Sequence, residues 1–328
     1  MGVAAIGLRT LELSDPARLA YDGDRPRPIR THIWYPADGP PGRLEWSPLM
    51  RPANVVKNAP PAGGPRPAVM LSHGTGGSVW HLGWLAEGLV AEGYLVVGVE
   101  HHGNTAVDKY LPEGFTRVWD RPRDLSRVLD VLADDKLIDA GRVGVAGFSL
   151  GGYTALALLG ARLDADRYRS MLEGRLDIEP PAEFPDLLDS LHARVDAAEL
   201  AGWPEEAAAP VDDPRIRAAY ALAPALSELV DEASLTAIDR PVTVRWGGAD
   251  ENAPPAENGQ RVSELIPGAD GRSVGERVGH FAFIAEATEA GRAELPELFV
   301  DPPGVDRGAV HAGVLADAVA FFNGRLRP

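Results

Sequence analysis

Gly147-Phe148-Ser149-Leu150-Gly151-Gly152 stands between two apolar runs, Arg142 to Ala146 before it and a stretch beginning near Gly151 after it. The first run has the length and branching of a buried strand, and the second has helical spacing. The six residues therefore read as a sharp strand-to-helix turn with a serine at its tip, the context that gives G-x-S-x-G its meaning. The turn holds Ser149 in a strained backbone conformation, and side chains two positions before and after it would collide across the bend. Glycine at 147 and 151 removes both collisions. The chain has 36 glycines, so the pattern alone is weak, and it is the flanking strand and helix that make Ser149 a candidate nucleophile.

Outward from this turn, strands and helices alternate. Ala68 to Ser72, Leu95 to Glu100 and Arg142 to Ala146 read as buried strands, followed by helices over about Val79 to Glu92, about Arg121 to Asp134, and up to Arg162. Repeated units of this kind predict an α/β fold, a doubly wound and mostly parallel sheet of about eight strands with helices on both faces. Ligands of such sheets sit at the carboxyl ends of the strands. Before these units, Val3 to Leu13 and Arg30 to Tyr35 read as an antiparallel hairpin at a sheet edge, joined through a polar, proline-bearing turn. Ala37 to Pro67 is rich in Pro and Gly and reads as a long surface excursion with room for one short helix.

From Leu163 to Asp213 the strand signal disappears and an acidic, helix-prone, proline-bearing segment replaces it. The sheet pattern resumes at Ile216 to Ala223 and Val242 to Trp246, with a short strand near Arg272 to Arg277 and a closing helix over Val310 to Phe322 that carries Val314, Ala318 and Phe321 on its apolar face. The expected organisation is a core of residues 1–162 and 214–328 with a helical cap inserted at 163–213.

A net charge of −16, with lysine only at 57, 109 and 136, argues against nucleic acid and anionic membranes as partners, since both require clustered cations. The chain has no cysteine, which removes disulfides, thiolate metal sites and a thiol nucleophile together. Met1 to Leu13 lacks a basic segment ahead of an apolar core, and no apolar stretch approaches the ~18 residues a membrane helix needs. The expectation is a cytoplasmic enzyme without cofactor, metal or membrane anchor, acting on a small molecule as a monomer or a homodimer.

A hydroxyl needs a base within hydrogen-bond reach and a third group to orient that base. Of the eight histidines, His280 follows a predicted strand in Val278-Gly279-His280-Phe281, late in the chain, and is the candidate base. Asp250 ends the tight turn Gly247-Gly248-Ala249-Asp250 after the strand Val242 to Trp246 and is the candidate acid, with Glu251 beside it and Asp231 one strand earlier as contenders. Asp250 would accept from the ring N–H of His280 and fix its tautomer. His73-Gly74-Thr75-Gly76-Gly77 follows the strand ending at Ser72 and has the glycine content of a loop that offers backbone amides to a developing oxyanion. The amides of Thr75 and Leu150 are the two expected donors. Gly74, Trp80, Trp84, Tyr153 and Phe281 are candidates to line the substrate pocket. His101-His102 invites a metal reading, but neighbours in an extended segment point to opposite sides, so these read as loop-structuring, and His73 likewise.

With these segments in hand, the chain resembles the α/β-hydrolase superfamily over nearly its whole length. Within it the resemblance is to bacterial predicted dienelactone hydrolases and to platelet-activating-factor acetylhydrolase-like esterases. It rests on Leu71 to Gly77, His101 to Thr105, Val145 to Tyr153 and Gly279 to Phe283. It implies hydrolysis of short or medium acyl esters by a serine carboxylesterase through an acyl-enzyme. Phospholipid, thioester or amide cleavage at the same site is the second reading, and a noncatalytic ligand-binding version of the fold the third. The chain departs from authentic dienelactone hydrolases, which use a cysteine nucleophile, by having Ser149 and no cysteine at all. It departs from secreted acetylhydrolases in showing no leader and no anchoring helix.

Overall fold

The computed structural model describes residues 5–176 and 178–327. The expected start of the first strand, Val3 and Ala4, lies outside them, as do the other chain-end residues and Asp177 of the expected cap.

The described residues form nine strands: β1 (Ala5–Ala20), β2 (Gly23–Ala37), β3 (Val56–Lys57), β4 (Arg66–Ser72), β5 (Leu95–His101), β6 (Ile138–Phe148), β7 (Ile216–Leu222), β8 (Val242–Trp246) and β9 (Asp270–Ser273). They make one sheet in the order β3-β1-β2-β5-β4-β6-β7-β8-β9. From β5 to β9 all neighbours are parallel, while β2 pairs antiparallel with both β1 and β5. This is the mostly parallel, doubly wound architecture that the alternating pattern predicts, and the one that the resemblance to the α/β-hydrolase superfamily implies.

The central strands are buried on both faces, which is why they read as unbroken apolar runs. Alternate residues feed two cores. Met70, Val97 and Val145 pack with the helices Asp120–Leu132 and Leu150–Ala157 on one side. Val69, Val96 and Ala146 pack with the helices Gly83–Ala91 and Arg307–Leu326 on the other. The closing helix turns Val314, Ala318 and Phe322 to the sheet, and Phe321 lies half-buried beside Tyr220. The helical step from 318 reaches 322, one residue beyond the expected position.

Two local expectations change. The hairpin has no long polar turn: β1 and β2 continue pairing to Ala20 and Gly23, so Pro16, Pro26 and Pro28 sit inside strands at its irregular outer end. Residues 38–65 contain no helix and are not wholly superficial. Met50, Ala53, Val55 and Ala59 are buried, and Val56–Lys57 adds a parallel edge to β1.

Over 163–213 the described residues form three helices, Ala165–Leu172, Leu187–Arg194 and Ala197–Ala207. Asp164 and Asp196 accept hydrogen bonds from the first free amides of two of them, as N-caps do. Tyr168 and Trp203 pack edge-on against Trp119, joining this segment to the core. Among the described residues, no helix is long and apolar enough to cross a membrane.

Candidate active site

Ser149 sits between β6 and the helix Leu150–Ala157 with φ 55° and ψ −119°, a left-handed conformation costly for a residue with a side chain. The glycine at 147 is obligatory, because a Cβ there would lie 2.0 Å from the Gly151 carbonyl oxygen. At Gly151 the obstacle is different from the expected one: its Cβ would meet the carbonyl of Ser72 at the end of β4, so this glycine clears the neighbouring strand rather than the bend. The Ser149 amide is fixed by the Leu222 carbonyl of β7 at 2.8 Å.

The loop after β8 brings in Asp250, the candidate acid. Gly247 lets this loop pass against Val278, whose carbonyl would be 2.2 Å from a Cβ at 247, and Ala249 N–H donates to that same carbonyl. The acid loop and the histidine loop are thus stitched together before their side chains meet. Asp250 Oδ1 accepts from the Ala253 amide at 2.7 Å, leaving Oδ2 to accept from His280 Nδ1 at 2.7 Å. His280 Nε2 faces Ser149 Oγ at 3.0 Å. All three side chains are buried, and the Phe148 ring packs on the imidazole with centroids 4.7 Å apart. With Nδ1–H committed to the carboxylate, Nε2 carries the lone pair and can take the hydroxyl proton. The contenders for the acid are placed elsewhere. Asp231 caps the helix Glu232–Thr236, and Glu251 is exposed at the cavity rim.

Thr75 and Leu150 both line the cavity beside Ser149, and among the described residues no backbone carbonyl engages either amide. The loop carrying Thr75 is held from below: Gly76 N–H donates to Asn104 Oδ1 at 2.8 Å, and Ser78 Oγ and Val79 N–H donate to the buried carboxylate of Glu100. His73 is wholly buried, its Nδ1–H on the Gly74 carbonyl and its Nε2 accepting from the His101 amide. Burial, with Arg121 and His101 adding to it, keeps its pKa well below the usual histidine range, so this ring is a neutral brace. His101 and His102 point to different partners, Asp124 and Asp108. Among the described residues no group of three or more His, Asp or Glu side chains is arranged to hold a metal ion.

The cavity over Ser149 has a volume of about 1160 Å³. Phe281 lines it. Three other candidates do not. Trp80 lies on the opposite face, stacked on Trp46 and across Trp34, because the turn after the 73–77 loop sends its ring toward the hairpin. Trp84 stacks flat on His311 at 4.0 Å and donates to the Phe283 carbonyl. Tyr153 points into the core on the far side of its helix. Gly74 is not part of the wall either: a Cβ there would press on the Phe148 ring at 3.0 Å and on Ser149 Cβ at 3.4 Å, so it supplies clearance beneath the serine. The wall is built by residues that no motif marks, chiefly Phe115, Tyr168, Met171, Leu226 and Leu229. The available signal was the amphipathic helix Ala165–Leu172, with Tyr168 and Leu172 buried and Met171 on the cavity.

A model of the alpha/beta hydrolase family matches residues 68–294, and the chain belongs to that family. Among solved structures, the fold is similar to a ferulic acid esterase from Streptomyces cinnamoneus, with a TM-score of 0.65 at 21% identity, over 99% of this chain and 91% of that one. It is also similar to a puromycin-hydrolyzing peptidase of Mycobacterium tuberculosis, with a TM-score of 0.53 at 16% identity, over 98% of this chain and 39% of that one. At these identities the likeness is one of fold. No curated protein sequence matches the chain.

Proposed function

We propose that this member of the alpha/beta hydrolase family is a serine carboxylic-ester hydrolase whose site takes bulky, apolar, uncharged esters. The observation that carries the reading is the line of contacts Asp250 to His280 to Ser149, at 2.7 and 3.0 Å, opening on a large cavity. In the acylation step Ser149 Oγ bonds to the ester carbonyl carbon as its proton passes to His280 Nε2, and the carbonyl oxygen becomes an oxyanion beside the Thr75 and Leu150 amides. The tetrahedral centre then expels the alkoxide, which leaves as alcohol with the proton from His280. Water repeats the sequence on the acyl-enzyme, giving the free acid and restoring Ser149. Asp250 fixes the tautomer throughout and offsets the charge of the transient imidazolium.

The cavity supports a larger substrate than a short acyl chain alone, since drug-sized sites run about 300–1,000 Å³. Residues 163–213, read as a cap, supply Tyr168, Met171, Leu176 and Ile178 to its wall. The charge of the rim opposes an anionic substrate: Glu183, Asp186, Asp189, Glu251 and Glu297 line it, while the guanidinium of Arg307 is taken up by Asp301 through two hydrogen bonds. A lactone bearing a free carboxylate is a poor fit for such a rim.

The test is labelling with a fluorophosphonate, together with turnover of p-nitrophenyl esters of increasing chain length beside a matched anilide. Ser149→Ala should abolish labelling and lower kcat by several orders of magnitude. Near-full turnover by that variant removes the mechanism, and faster cleavage of the anilide than of the esters replaces the ester by an amide as substrate.

A further inference from the structure

Arg121 is 1% exposed, and the mechanism above makes no use of it. Burying a guanidinium costs several kcal/mol before its partners are counted, so its partners must account for it. It lies in the first turn of the helix Asp120–Leu132, directly beneath the oxyanion loop. One edge donates to the His73 carbonyl and to Ser72 Oγ at 3.3 Å, where β4 gives way to the loop. Another nitrogen reaches Asn104 Oδ1 at 3.4 Å, the same oxygen that holds the Gly76 amide. His73 and Gly76 bracket Thr75. On the other side Arg121 Nε donates to Thr154 Oγ1 at 3.3 Å, and that hydroxyl donates in turn to the Leu150 carbonyl at 3.0 Å. Burial pushes the guanidinium pKa down to about 9, against the pull of Asp124 and Glu100, and the group stays cationic at neutral pH.

We propose that Arg121 is the positioning residue of the oxyanion hole, one planar group that sets the distance between the two separate segments carrying the Thr75 and Leu150 amides. The kinetic consequence rests on the esterase reading. Two amides act together on one oxyanion only if both stay within a few tenths of an ångström of it, and a misplacement of about 1 Å costs on the order of 10²-fold in rate. A lysine offers one point charge and cannot span acceptors on both sides.

Three variants test this. Arg121→Lys should lower kcat on a p-nitrophenyl ester about 30-fold or more, with KM within about twofold, because the loss falls on the transition state. Asn104→Ala and Thr154→Val each cut one of the two links and should lower kcat about 3- to 10-fold. The double variant Arg121→Lys/Asn104→Ala should be no slower than Arg121→Lys by more than about twofold, since both act along one path. Amide deuterium exchange supplies a readout apart from turnover: the segments 73–77 and 149–154 should exchange about tenfold faster in Arg121→Lys, at a rate unchanged elsewhere in the sheet. Should Arg121→Lys fail to fold, the two single-link variants decide. Folded variants with kcat within twofold of the parent and unchanged exchange would overturn the proposal, as would a loss confined to KM. A parent protein that hydrolyses no ester and leaves Ser149 unlabelled sinks the esterase reading instead, and exchange then decides the role of Arg121 by itself.

Discussion

Acidification from pH 7 to 5 should strip this fold of much of its stability, because several histidines are buried in their neutral form. Burial, aided by Arg30, pushes His32 down to about 4; burial and Arg307 push His311 down to about 4; burial and Arg121 push His101 down to about 3. In the unfolded chain the same rings titrate near 6.5. Between pH 7 and 5 the unfolded state therefore gains about 0.7 proton for each histidine while the native state gains almost none. Stability rises with pH wherever the unfolded state binds more protons, so it must fall here as the pH drops through the unfolded value. The linkage gives about 2 kcal/mol for each ring and about 6 kcal/mol for the three, against a total of about 5–15 kcal/mol for a typical domain. His73 acts in the same direction. Glu100 opposes them, since burial raises its pKa and its native form takes up a proton more readily. At Asp124 burial acts upward but Arg27 and Arg18 outweigh it and hold the carboxyl well below its usual range, so its contribution is lost only on further acidification, below about pH 4.

Urea unfolding at pH 7, 6 and 5, at constant ionic strength, measures the effect directly. His32→Phe isolates one share of it. The ring sits among Trp34 and Trp80, its Nε2 has no hydrogen-bond partner among the described residues, and its Nδ1 meets only the hydroxyl of Thr10, an exposed residue that water can serve, so phenylalanine suits the site. That variant should recover about 2 kcal/mol of the loss at pH 5. A parent protein whose stability at pH 5 stays within about 1 kcal/mol of its value at pH 7, or a variant with an unchanged pH slope, refutes the neutral-histidine account.

Asp250→Asn should keep KM and lower kcat by about 10³ or more, since the amide cannot hold His280 in the tautomer that accepts the serine proton; a loss below tenfold would displace Asp250 as the acid. Met171→Trp should fill the cavity from the 163–213 side, so kcat/KM for long-chain p-nitrophenyl esters should fall about tenfold or more while acetate turnover changes little, and a uniform loss across chain lengths would place the acyl group elsewhere. Trp84→Ala should lower the melting temperature through the lost stack on His311 and leave KM unchanged; a tenfold rise in KM would restore Trp84 to the substrate pocket.

What the sequence made legible was whatever backbone geometry restricts to a few residue types. Ser149 was visible because a left-handed serine between a strand and a helix demands glycine at 147, and Asp250 because Gly247 and Gly248 are what let its loop cross the 276–279 segment. His280 was visible through its place after the last parallel strands. The cavity wall was not, because Phe115, Met171 and Leu226 are ordinary apolar residues whose facing depends on how 163–213 folds back. Trp80, Trp84 and Tyr153 misled for the converse reason: they are near the loop and the turn in sequence, but helical rotation carries their rings to other faces of the sheet. Arg121 and Asp124 are charged residues of the helix Asp120–Leu132, yet both are buried. Nothing in residue type separates a solvated charge from one that braces a loop.

The proposed nucleophile has a counterpart elsewhere in the molecule against which it can be read. Ser72 Oγ lies 3.0 Å from His101 Nε2, and His101 Nδ1 lies 3.1 Å from Asp124 Oδ2, distances close to those around Ser149. Contact geometry alone would nominate both serines. Ser72 differs in its surroundings: it is wholly buried in regular β4, it accepts a hydrogen bond from Arg121, and it does not line the cavity over Ser149. The same guanidinium helps hold His101 down to about 3, which disfavours the imidazolium that a general base must become. Among the described residues no Arg or Lys stands within hydrogen-bond reach of Ser149, its backbone is strained, and Thr75 and Leu150 line the same cavity. The two arrays are also joined, because the Arg121 that quiets Ser72 is the group that ties down the Thr75 loop. One Ser-His-Asp array is thus a buried support and the other stands at the cavity floor, and it is solvent access, positive charge and free amides that divide them.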